Sequence, residues 1–297
     1  MTDSTDRWRC ALAARERQDP LVGTAVPAPR WFLVEHRGPW QRTAAGTAPL
    51  DAVAGELTPL LEGHRARLQL VRRHGRRVEG GTVEGAAPVV ALVDCPTGRV
   101  HWSTWEQPGD LVALAAAMPE LLAAAPPCED PLVLVCAHGR KDVCCAIDGR
   151  LTARVLDDLL PGMVWETTHL GGDRFAANVT FLPDGTMYGR VDGSSAPDLA
   201  LAHLDGLADL TRWRGRSLWH PAVQAAAADV LATLEAPRWR DVVVARVTAQ
   251  GPDTWQVELD VDGRTHRRTV TRSWAPRRRL TCADTTEKTV AVWTAAR

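Results

Sequence analysis

Apolar positions along the chain change their spacing repeatedly, and each change marks a new element. RWFLVEHRGPW (Arg30 to Trp40) has an apolar centre that predicts a strand, and RLQLVRRHG and PVVALVD predict two more. Asp51 to Leu61 and Asp110 to Ala125 carry apolar residues at helical spacing. PLVLVC (Pro131 to Cys136) is a short continuous apolar run, the pattern of a buried strand. After Cys145, the residues Leu151, Val155, Leu156, Leu159 and Leu160 form one helical stripe. MVWETTH then predicts a strand ending at His169. AANVTFLPDGTMYGRV follows as two apolar runs joined by Pro-Asp-Gly, a hairpin signal.

Beyond Asp198 the pattern is helical, clearest from Val223 to Leu234 and preceded by Pro221 at a helix start. From about Asp241 it becomes strand-like again: DVVVARV, then WQVELDVDGRTHRRTV, whose Asp262-Gly263 fits a two-residue hairpin turn. The sum is an α/β (α+β) protein. It divides into an N-terminal mixed α/β part (1–125), a core with following helices (126–235) and a small antiparallel β subdomain (236–297). In the core, strand, crossover helix and parallel strand bring two strand C-termini side by side, so Cys136 and His169 are expected at one sheet edge.

Composition narrows the functional classes. At 297 residues the chain can bury a full core without disulfide staples. Its 35 basic and 36 acidic residues leave a formal charge of −1, so neither nucleic acid nor an anionic membrane surface is an expected partner. The polar start, MTDSTDRWRCALAARERQDP, has no apolar signal region, and no apolar run is long enough to span a bilayer. A cytoplasmic location is therefore expected. Seven cysteines in a reducing compartment favour free thiols or metal ligands over a disulfide framework.

Three of those thiols, Cys136, Cys144 and Cys145, fall in LVCAHGRKDVCCAIDGR, and THLGGDRFAAN follows some twenty residues later. Soft thiolates beside an imidazole suit zinc or an iron–sulfur cluster rather than magnesium or calcium. Gly171 and Gly172 let the backbone wrap closely around a bound group.

CAHGRKDVCCAIDG followed by HLGGDRFAANVTFLPDGTMYGRV resembles the sucrase/ferredoxin-like family, as do DPLVGTA, WFLVEHRGPW and RGRSLWHPAVQAA; the resemblance runs through about residue 235. It implies a thioredoxin-like ferredoxin core holding a [2Fe–2S] cluster, with two cysteines on one iron and two histidines of an H-x-G-G-H motif on the other. Matched by position, the ligands are Cys136, Cys145 and His169, while Asp173 stands where the second histidine is expected. Asp173 then ligates through oxygen, or Cys144, Cys128 or Cys282 substitutes, or the cluster is absent or labile. The implied role is a one-electron carrier serving a redox protein partner, rather than an enzyme with an organic substrate. A cluster-free thiol oxidoreductase and a structural zinc site on the same four residues are the alternatives. No carboxylate pair stands in a recognisable glycosidase setting, so sugar hydrolysis is not expected.

Around these residues, His138 and Gly139 are candidate donors to cluster sulfur. Arg140, Lys141 and Arg174 are candidates for offsetting its charge. Trp31, Trp40, Trp102, Trp105 and Trp165 read as core, and Cys10, Cys95, Cys128 and Cys282 as isolated structural thiols. The seven arginines between Arg264 and Arg279 fit the outer face of a hairpin better than a docking surface for an acidic electron-transfer partner or nucleic acid.

Overall fold

The structure is a computed structural model that describes residues 8–74 and 87–297. In chain order the first half runs α1 (Cys10–Glu16), β1 (Arg30–Glu35), α2 (Ala54–Gly63), β2 (Ala66–Arg73), β3 (Val89–Asp94), β4 (Arg99–Thr104), α3 (Pro108–Ala116) and α4 (Met118–Ala124). The core follows with β5 (Leu132–Cys136), α5 (Val143–Leu159), β6 (Val164–Thr167), β7 (Val179–Leu182), β8 (Thr186–Tyr188), α6 (Ala196–Leu204), β9 (Trp213–Arg216) and α7 (Pro221–Leu231). Strands β10 (Val243–Ala249), β11 (Thr254–Val261), β12 (Arg264–Trp274) and β13 (Ala291–Ala296) close the chain. The fold is mixed α/β, as expected.

Nine strands form one mixed sheet in the order β4-β3-β1-β2-β6-β5-β7-β8-β9, and the last four form a separate antiparallel sheet. The boundary expected after residue 125 falls inside the large sheet, because β2 pairs with β6. Strands β5 and β6 are parallel and joined by α5, while β7 and β8 pair antiparallel beside β5. That strand order, β6-β5-β7-β8, matches the thioredoxin-like expectation. The helix expected over Asp110 to Ala125 is two helices: Pro119 lacks the N–H a continuing helix needs, and the chain restarts at Met118.

Alternation along β5 separates two cores. Val133 and Val135 join α5, α6, α7 and the inner face of the C-terminal sheet, including Val257, Leu259, Val261 and Val270. Leu132, Leu134 and Cys136 face the other way, among Trp31, Trp165, Leu170 and Cys145. The turn between β11 and β12 has Asp262 and Gly263 both at positive φ, 50° and 71°, as a two-residue hairpin demands. Four of the five tryptophans read as core are buried or nearly so; Trp102 instead is 44% exposed and stacks on Trp165, because its edge strand β4 has no sheet neighbour on one side. No helix among the described residues is long and apolar enough to cross a membrane.

Candidate metal centre

Cys136 is the last residue of β5, and the parallel register sets it opposite Thr167, the last residue of β6. Helix α5 starts at Val143, with Asp142 as its cap: the carboxylate accepts from the Cys144 backbone N–H at 2.9 Å. The helix then crosses so close to β5 that a Cβ on Gly149 would sit 1.9 Å from the Cys136 carbonyl oxygen. This approach brings the first turn of α5, with Cys145, against the strand end.

From β6 the chain passes His169 and turns through Gly171 and Gly172, at φ 88° and 77°, into a short 3-10 turn, Asp173–Phe175. Gly172 has no room for a side chain, since a Cβ would lie 2.8 Å from Arg214 Nη2. The turn is fixed from outside: Arg214 Nη1 donates to the Gly171 carbonyl at 2.9 Å and to Asn178 Oδ1 at 2.8 Å, and Asn178 Nδ2 donates to the Gly172 carbonyl at 2.9 Å. Arg67 Nη2 and Gln69 Nε2 donate to the His169 carbonyl at 2.8 and 3.2 Å.

The result is a ring of four donor side chains. Cys136 touches both Cys145 and His169. Cys145 Sγ lies 3.3 Å from Asp173 Oδ1, and the same oxygen lies 2.7 Å from His169 Nδ1, outside the angle for a hydrogen bond. Cys136, Cys145 and Asp173 are buried, whereas the His169 side chain keeps 28% of its surface in solvent. The Cys145 S–H, followed by His169, holds the Cys136 thiol well below its ordinary range despite burial; the Cys136 thiolate in turn pushes Cys145 up. Burial opposes charge on His169, but Asp173 and then Cys136 outweigh it and raise its pKa to about 9.

Positive charge near the ring comes from residues the sequence did not single out. Arg67 and Arg214 are buried guanidiniums that feel the Cys136 thiolate, and burial pulls both below the usual range. Arg140 instead donates to Gln41 Oε1 at 2.6 Å, and Arg174 faces Asp19 as an ion pair at 3.6 Å. The buried His138 spends Nε2 on the Gln41 carbonyl at 2.7 Å. Its Nδ1 and Arg67 Nη1 are buried without a hydrogen-bond partner. Arg67 Nη1, an orphaned donor beside two thiols, an imidazole and a carboxylate, fits a bound anionic cluster whose sulfides would accept from it; His138 Nδ1 is the acceptor nitrogen of a ring whose Nε2–H already donates, and adds no donor.

Cys144 points elsewhere. Its Sγ lies 3.5 Å from Cys282 Sγ, and with Cys10 and Asp142 these side chains form a second group whose ligand atoms all lie within 4.8 Å of one another. A Cys/Asp group able to hold a metal ion is therefore present. Cys10 and Cys282 are not the isolated thiols expected from sequence: 272 residues separate them, so no local pattern betrays their meeting. Cys128 lies apart, donating to the Asp130 carbonyl.

A family model described as sucrase/ferredoxin-like matches residues 21–215. The chain belongs to the sucrase/ferredoxin-like family. The matched span contains the whole Cys136, Cys145, His169, Asp173 ring with Arg67 and Arg214, and leaves out Cys10 and Cys282. The chain is also similar to "Altered inheritance of mitochondria protein 32" of Meyerozyma guilliermondii, 38% identical over 72 residues. That alignment covers 21% of this chain and 26% of the relative, so the sucrase/ferredoxin-like chain spans about a quarter of the relative's length. No solved structure matches it significantly.

Proposed function

We propose that the chain binds a [2Fe–2S] cluster between Cys136, Cys145, His169 and Asp173 and serves as a one-electron carrier for a redox protein partner. One observation carries this reading: four donor side chains from β5, α5 and the turn after β6 meet in a ring beside two buried guanidiniums. When bound, the group would accept and return a single electron.

The protein's own part is positional and electrostatic. Cys136 and Cys145 supply sulfur from rigid elements, and the Gly171-Gly172 turn, held by Arg214 and Asn178, presents His169 and Asp173. Arg67 and Arg214 provide fixed positive charge where thiolates and a carboxylate would otherwise repel each other. His169 is the most accessible member of the ring, so its imidazole edge is where a partner approaches. An anionic carboxylate in place of a neutral imidazole makes the centre more negative and harder to reduce than a two-histidine set.

Anaerobic purification tests the reading. The expected product is red-brown, with about two iron and two acid-labile sulfide per chain. Cys136→Ser and His169→Ala should each lose that colour. Asp173→His should keep it and raise the reduction potential; an unchanged potential and spectrum would remove Asp173 from the ligand set. A colourless protein with zinc at these four residues, or with freely titrating thiols and no metal, sinks the cluster.

A further inference from the structure

The N-terminal end of α5 faces two thiol groups at once. Neighbouring cysteines diverge there: Cys145 turns to the ring around Cys136, and Cys144 turns to side chains from opposite ends of the chain. Cys10 Sγ, on the first residue of α1, lies 3.5 Å from each oxygen of Asp142, and Cys144 Sγ lies 3.5 Å from Cys282 Sγ. Around a tetrahedral zinc with Zn–S of about 2.3 Å and Zn–O of about 2.0 Å, neighbouring sulfurs stand about 3.8 Å apart and sulfur and oxygen about 3.5 Å apart. The Cys10–Asp142 and Cys144–Cys282 pairs already stand near that spacing, and all four ligand atoms lie within 4.8 Å of one another.

Their supports are also in place. Both Asp142 oxygens accept a backbone N–H, from Cys144 at 2.9 Å and from Cys282 at 2.7 Å, and each oxygen keeps a second lone pair for a metal. These bonds orient the carboxylate in the way outer hydrogen bonds orient a ligand. Cys10, Asp142 and Cys144 are buried. Arg9 lies against Cys144, ion-pairs with Asp148 at 2.8 Å, and has its Nε buried without a partner. A guanidinium there offsets the charge of three thiolates. A disulfide between Cys144 and Cys282 would account for neither Cys10 nor the carboxylate.

We propose that Cys10, Cys144, Cys282 and Asp142 form a structural zinc site that fastens both ends of the chain to the start of α5. Binding replaces three S–H bonds by three Zn–S bonds and adds one Zn–O bond; three protons leave to solvent, and no atom changes oxidation state. The four-coordinate site has no open position, so its role is mechanical rather than catalytic. Because Cys10 and Cys282 lie outside the family match at residues 21–215, the site is a feature of this chain's ends.

The test uses the full chain loaded with Zn²⁺ in the presence of a thiol reductant. We expect about one zinc per chain, and zinc-edge X-ray absorption showing three sulfurs at about 2.3 Å and one oxygen at about 2.0 Å. That measurement needs no variant. Cys282→Ala and Cys10→Ala should then lower zinc content at least tenfold while iron content and visible spectrum stay as in the parent. The site is refuted by no zinc uptake, by a shell of two sulfurs with a nitrogen, which belongs to the His169 ring, or by zinc unaffected in both variants. A colourless protein that still shows three sulfurs around zinc would sink the cluster and leave this site standing.

Discussion

Asp19 shows how one buried carboxylate joins distant parts of the chain. It receives Arg17 at 2.9 Å, Arg278 at 2.7 Å and Arg174 at 3.6 Å, while the Asp19 carbonyl accepts from Arg190 at 2.6 Å. Burial opposes its ionisation, but Arg17, Arg278 and Arg174 outweigh burial and hold the carboxyl below its ordinary range. A depressed native pKa means the stabilisation is fully present above about pH 4, the unfolded value, and is lost as pH falls through the lower native one. Asp19→Asn should cost about 3 kcal/mol near pH 7, leaving three arginines without their anion, and should flatten the acid limb of stability below pH ~4. Denaturant unfolding at several pH values checks both, and a parallel downward shift at every pH would mean the charge plays no part. Arg278 belongs to the arginine-rich tail, and Arg267, Arg268 and Arg272 there pair with Glu258, Asp229 and Asp253. The resemblance to the family marked Cys136, Cys145, His169 and Asp173, through the motifs CAHGRKDVCCAIDG and HLGGDRFAAN that carry it. The sequence could not mark Arg67 or Arg214, since a buried guanidinium looks like any other arginine until its surroundings are known.

Among the elements, α5 carries the most consequence, because both thiol groups use its first turn. Its distance from β5 is set at Gly149, where any side chain would strike the Cys136 carbonyl. Gly149→Ala adds helix propensity worth about 1 kcal/mol, yet the clash must push helix and strand apart and cost more than that, about 2 kcal/mol or more net. The variant should unfold earlier in denaturant and hold less iron per folded chain than the parent; a more stable protein would show that the helix shifts freely. The strand, helix and strand of this unit were legible, since the continuous apolar run of β5 and the short MVWETTH strand pattern of β6 flank a clear helical stripe. The hairpin of β7 and β8 and the Asp262-Gly263 turn were legible through their turn residues. Four elements were not: α1, β4, β9 and β13. Strand β9 reads Trp-Arg-Gly-Arg, and its Arg214 is buried as part of the site's support rather than as core. Strand β13, Ala-Val-Trp-Thr-Ala-Ala, is half exposed and owes its form to pairing with β12.

At the scale of the whole molecule, contacts run from the last strand to the candidate centre. Trp293 on β13 packs against Trp255 and His220 with ring centroids 4.9 and 5.5 Å away. It also closes over Gly23, where a Cβ would lie 2.8 Å from the indole. The backbone N–H groups of Gly23, Thr24 and Ala25 all point to the Arg214 carbonyl, at 3.0, 3.3 and 3.4 Å, and Arg214 Nη2 returns a bond to the Thr24 carbonyl at 2.6 Å. Arg214 then grips the turn bearing His169 and Asp173. This explains physically why DPLVGTA and RGRS accompany the cysteine loop in one pattern: the two stretches build the clamp on that turn. Trp293→Ala should remove about 3 kcal/mol of packing from the joint between the two sheets. Hydrogen exchange should then speed up in β11 to β13 and, through Gly23, at residues 23–25, while β5 in the sheet centre keeps its protection. If faster exchange stops at the C-terminal sheet, the clamp does not depend on that sheet. If it reaches residues 23–25, the small sheet acts as a buttress for the centre, and deleting β13 alone, downstream of Cys282, should weaken cluster retention without touching a ligand of either site.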